Sequence, residues 1–141
     1  LSNPTLATIW RITKALEKPL EDILSVKEGT TCFEKLSQNA TPEVMSEDSG
    51  FRLKILGTLN TVSTVQWYEF TAEPKAELVS EAHGTGSLES LTLCSGELTV
   101  IVGDETQYIC KGDTLRFRTD VAHRLKNEGK EKTHGFMVNL L

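Results

Sequence analysis

His83 to Leu98 reads HGTGSLESLTLCSGEL. Successive side chains of a strand point to opposite faces, so counting from Glu89 places Leu91 and Leu93 with it and Ser90, Thr92 and Cys94 opposite. The leucine face is the core face, and Glu89 is directed inward with it. A carboxylate on an apolar face is expensive unless something partners it. His83, six residues ahead, is the first candidate partner. A single His and a single Glu near a turn are ordinarily solvated, so a third group decides the matter. His123 supplies it: it shares strand parity with Leu125 and Asn127 and follows the turn TDVA, which sets it at a strand mouth. Two imidazoles and a carboxylate suit zinc or another divalent transition metal.

Outward from this stretch, period-two patterning continues in both directions. FRLKILGTL, VQWYEFTA, AELVSE, ELTVIV, ETQYI, TLRFR, HRLKN and THGFMVNLL all read as strands. Turn residues separate them: Ser95-Gly96, Gly103-Asp104, Lys111-Gly112-Asp113 and Asn127-Glu128-Gly129. Short strands at such intervals predict a sandwich or small barrel. Trp67, Tyr68 and Phe70 read as core, and Arg116 and Arg118 as a solvated face opposite Leu115 and Phe117. His134 shares parity with core-like Phe136, Val138 and Leu140 but lies near a turn, and is placed at the surface.

The first residues follow a different period. Asn3 and Pro4 make a helix start, and Leu6, Ile9, Ile12, Thr13 and Leu16 recur at helical spacing. Pro19 ends this helix and opens a second, PLEDIL, with Leu20, Ile23 and Leu24 on its apolar side. Two short helices cannot enclose a core by themselves. The organisation expected is therefore residues 1–26 as a helical remnant, 27–50 as a linker with an edge strand in TTCFEKL, and 51–141 as the all-β domain.

Composition excludes several classes. A net charge of −5 over 141 residues gives no general attraction to phosphates. No apolar run is long enough for a membrane helix, and three cysteines without CxxC spacing build neither a disulfide framework nor a cysteine zinc knot. A reduced, cytoplasmic protein without a membrane partner is the expectation. Gly84 and Gly86 flank a single Thr and open no helix, so nucleotide-phosphate chemistry is unsupported.

HGTGSLESLTLCSGEL together with KGDTLRFRTDVAHRLKN (Lys111–Asn127) resembles the paired motifs of the cupin family. His83, Glu89 and Gly96 fit the first motif and Gly112, His123 and Asn127 the second, while Thr85 stands where the family has a second His. Arg118 and Asp120 stand where Pro and Gly are usual, and Glu77 where the first motif opens with Gly. The resemblance implies a mainly β fold, a double-stranded β-helix or jelly-roll barrel, with His83, Glu89 and His123 as metal ligands and zinc favoured. Glu81, Thr85 and Arg118 are the expected effector-pocket residues.

NPTLATIWRITKALEKPLEDIL is similar to the last two helices of phage-repressor (XRE-like) helix-turn-helix domains. That resemblance implies an N-terminally truncated DNA-binding domain whose reading helix lies upstream of Leu1. The combination is similar to bacterial transcriptional regulators. It implies operator DNA as partner, a small-molecule effector such as an amino-acid or sulfur metabolite, a homodimer, and no catalysis. The competing expectation is a small metal-dependent cupin enzyme, an isomerase or dioxygenase, with Glu81 as its acid or base; Thr85 counts against it.

Overall fold

The computed structural model describes residues 11–15, 33–37, 40–47, 50–58 and 61–141. Residues 11–15 are helical, as the three- and four-residue spacing predicts. The rest of the first expected helix and the whole of the second lie outside the described residues. No helix among the described residues is long and apolar enough to cross a membrane.

Strands follow from β1 (Glu43–Met45) and β2 (Phe51–Ile55) through β3 (Val65–Ala72), β4 (Glu77–Ser80) and β5 (Leu88–Ser95). They continue as β6 (Glu97–Val102), β7 (Glu105–Cys110), β8 (Thr114–Arg118), β9 (His123–Lys126) and β10 (Thr133–Leu140). One sheet has the order β1-β2-β3-β10-β5-β8 and the other β4-β9-β6-β7. Every pairing is antiparallel. Of the edge strand expected in TTCFEKL, residues 30–32 lie outside the described residues and residues 33–36 are irregular and exposed, while β1 forms in PEVM, where Val44 is buried. Val44 pairs with Leu53 and covers the core edge.

The inward faces of both sheets meet in a single core. Phe51, Leu53, Phe70, Leu91 and Leu93 come from the six-stranded sheet, and Leu78, Leu98, Val100, Ile109 and Leu125 from the other. Phe51 and Phe70 stack at 5.4 Å between ring centroids. Each such side chain contributes about 1.5–3 kcal/mol when fully withdrawn from water. Tyr68 and Phe70 are core, as read; Trp67 is not, being 47% exposed on the outer face of β3. Alternation requires this, because neighbours on a strand cannot share a face.

β10 has the opposite parity to the one expected. Thr133, Gly135, Met137 and Asn139 face the interior, while His134, Phe136, Val138 and Leu140 face out. Gly135 decides the orientation: a Cβ there would lie 2.8 Å from the Phe70 ring, so only hydrogen fits where that ring packs. His134 is half-buried on the outer face, where Nε2 lies 2.9 Å from Glu69 Oε1.

Candidate metal centre

Both segments that carry the expected ligands cross between the sheets. β4 belongs to the four-stranded sheet and β5 to the six-stranded one, while β8 and β9 reverse that passage. The two crossings are stitched together. His83 donates its backbone N–H to the Thr119 carbonyl (2.7 Å), and Thr119 donates its own to the Ser87 carbonyl (3.1 Å). Beside these bonds the buried Thr119 and Ser87 hydroxyls meet at 2.9 Å. His83 is thereby held against the first residue of β9, His123.

Alternation does the rest. Glu89, Leu91 and Leu93 point inward from β5, and His123 and Leu125 from β9. Ligand atoms of His83, Glu89 and His123 all lie within 4.8 Å of one another. The two imidazole centroids are 5.3 Å apart at 68°, and Phe117 flanks His123 at 5.6 Å. Glu89 and His123 are each only 2% exposed.

Hydrogen bonding orients one candidate ligand. His123 Nδ1 sits 3.1 Å from the Val121 carbonyl oxygen, which can only accept. The ring proton is therefore on Nδ1, and Nε2 turns its lone pair inward, 3.9 Å from Glu89 Oε2. With Glu89 ionised, two acceptors thus face one another, at a distance too long for a hydrogen bond.

The electrostatics agree with that picture. Burial pushes the Glu89 carboxyl up to about 8, only partly offset by a hydrogen bond from Asn139. Burial also lowers the basicity of His83 and His123, with His123 adding to the effect on His83. Tyr68 is raised by burial and by the Glu89 charge, and its hydroxyl donates to Gln66 Oε1 at 2.9 Å. Glu89 Oε1 and Asn139 Oδ1 are buried without a hydrogen-bond partner. Orphaned buried acceptors are rare and costly. Two unpartnered oxygens and two neutral imidazoles fit a divalent cation, which would offset the desolvation that each donor suffers.

The expected effector-pocket residues are all exposed. Glu81 and Thr85 are exposed on the segment between β4 and β5. Arg118 is on the outer face of β8, its side chain 72% exposed and paired with Asp120, so the structure does not bring it to the donors. Asn139 was not anticipated, because the parity expected for β10 turned it outward. Its signal in the sequence was an amide within THGFMVNLL that shares its strand face with Gly135.

Comparison with known proteins bears on the same residues. The chain is 28% identical over 136 residues to the HTH-type transcriptional regulator SutR of Escherichia coli (strain K12), covering 94% of this chain and 70% of that protein. An HTH_3 family transcriptional regulator from Vibrio cholerae shares the fold with a TM-score of 0.69 at 19% identity, over 99% of this chain and 74% of the other. A sugar phosphate isomerase of the cupin superfamily from Silicibacter pomeroyi shares it with a TM-score of 0.60 at 18% identity, over 77% and 76%. Residues 68–139, more than half of the chain and inclusive of His83, Glu89 and His123, match the Cupin_2 cupin domain, and the chain belongs to the cupin family.

Proposed function

We propose that this chain is the sensing part of a cytoplasmic DNA-binding transcriptional regulator. Its cupin barrel binds a small effector through a divalent metal and thereby controls operator binding. The observation that carries the reading is the likeness to a helix-turn-helix regulator over 136 residues, which extends well beyond the barrel. In this reading residues 1–26 close the DNA-binding domain, 27–50 link it to the barrel, and the reading helix lies upstream of Leu1. An amino-acid or sulfur metabolite is the effector class.

His83, Glu89 and His123 would hold the metal, with zinc first among the candidates because His and carboxylate donors with an open position suit it. A bound ion would supply a Lewis-acid centre for an anionic or carbonyl group of the effector. The chain's own residues shape the rest: Val121 fixes the His123 tautomer, and Phe117 walls the site on one side. Homodimerisation is supported by the outer face of the six-stranded sheet, where Trp67, Leu88, Phe136 and Leu140 are exposed together. The test is metal analysis of protein purified without chelator or affinity-tag metal, set beside operator binding with and without candidate effectors. His123→Ala should lower metal stoichiometry and abolish effector control. Equal, negligible metal in wild type and variant would remove the metal from this reading.

The enzyme reading is favoured by one observation, a His, His and carboxylate donor set on a fold shared with a sugar phosphate isomerase. Turnover of phosphosugars by metal-loaded protein, with no effector-dependent DNA binding by the full-length product, would decide for it.

A further inference from the structure

We infer that Asn139 is a further protein donor of the centre, its amide oxygen standing in for the ligand that Thr85 does not supply. The inference rests on the metal reading above and adds a residue that neither sequence motif contains. Asn139 and Glu89 are directly opposite each other in the β10–β5 register. Both side chains point inward, and Asn139 is 3% exposed. Its Oδ1 has no hydrogen-bond partner, and neither does the neighbouring Glu89 Oε1.

The Asn139 amide donates to the Glu89 carboxylate, yet one oxygen of each side chain stays open, and with Glu89 ionised a cation satisfies both at once. Leucines at both places would leave no oxygen open, so the pair is best explained by what it binds. Thr85 lies on an exposed segment and brings no imidazole to the site. With Asn139 the donor set becomes two imidazoles, a carboxylate and an amide oxygen. Compared with a third imidazole, the added oxygen narrows the preference for zinc over harder ions such as manganese.

The experiment titrates metal-stripped protein with Zn2+, and with Co2+ as a spectroscopic probe, for wild type, Asn139→Leu, Asn139→Asp and His123→Ala. Merely orienting a ligand is worth 10–100-fold in affinity, so Asn139→Leu should weaken Zn2+ by roughly 100-fold or more. It should also change the visible Co2+ bands, because the coordination shell itself changes. Asn139→Asp should keep the wild-type band pattern and bind more tightly, and it serves as the folded comparison if the leucine variant is unstable. Unchanged Co2+ bands in Asn139→Leu, or no gain in affinity for Asn139→Asp, would overturn the inference and leave Asn139 holding Glu89. Wild type that binds neither ion, like His123→Ala, would overturn the metal reading itself.

Discussion

β9 and β10 each run from one end of the barrel to the other, and each carries a buried polar side chain at or just beyond both ends. Just past the end of β9, Asn127 donates to the carbonyls of Ala72 (2.9 Å) and Glu131 (2.8 Å) and accepts from the Gly129 N–H (3.0 Å). Thr133, at the start of β10, donates to the Glu97 carbonyl (2.7 Å) and accepts from the Glu97 N–H (3.2 Å). At the other end of the same strands, Glu89 faces His123 and Asn139 with buried oxygens unpartnered. Equal burial therefore means different things. A polar group whose bonds close within the chain holds the chain, whereas one left open keeps bonding capacity that the chain does not use.

The largest expected effect separates the two amides. Asn127→Leu leaves two carbonyls and an N–H without their partner, and should cost about 3 kcal/mol of stability. At this chain length that lowers the melting temperature by roughly 10 °C. Asn139→Leu in metal-free protein gives up only the bond to Glu89 along with an orphaned oxygen, and should lower it by much less. Equal losses in calorimetric melts of the two variants would erase the distinction between the ends.

Acidity sharpens the comparison next. The Glu89 carboxyl is raised in the folded state to about 8 from an ordinary 4.5, so the folded chain keeps a proton that the unfolded chain has lost. Its contribution is greatest below the lower value and declines by about 1.4 kcal/mol per pH unit until pH passes the higher one. His83 and His123 are lowered below 6.5, so their contribution is lost only as pH falls beneath that value. Between pH 6.5 and 8 the carboxyl acts alone, and metal-free protein should lose about 2 kcal/mol across this interval. Glu89→Gln should be flat there in denaturant titrations; a parallel decline in both proteins would assign the slope to other groups.

A smaller effect has the reverse sign. Glu89→Leu removes an orphaned acceptor, and should stabilise metal-free protein at pH 7 by about 1 kcal/mol while abolishing metal binding. Destabilisation on the scale of Asn127→Leu would show that Glu89 belongs with the self-satisfied groups. Smallest of all is Arg118→Ala, expected to leave both the melting temperature and the metal affinity unchanged, because the guanidinium faces solvent beside Asp120. A weakened metal affinity, read by titration, would bring that residue back into the site.

The inward set around Glu89 was readable because two leucines on its strand face declare where the core lies. Leu125 and Asn127 did the same for His123. Where hydropathy points the wrong way, reading failed. In β10 the outer residues Phe136, Val138 and Leu140 are more apolar than the inner Thr133, Gly135 and Asn139. Periodicity therefore chose the face that the sheet exposes, and Asn139 was lost with it. Trp67 was assigned to the core from size alone, although Tyr68 beside it claims the inward position.

Local pattern by itself determined the strands after Gly50, their turns, and the inward direction of Glu89 and His123, since alternation and left-handed glycine turns are properties of adjacent residues. What it left open was which strands become neighbours. β10 lies between β3 and β5, so Asn139 comes opposite Glu89 and Gly135 comes beneath Phe70. That placement depends on packing between residues far apart in the chain, which no period along a single strand records. Only the folded barrel therefore decided that Asn139 and Glu89, from different strands, come opposite each other with a buried oxygen of each left without a partner.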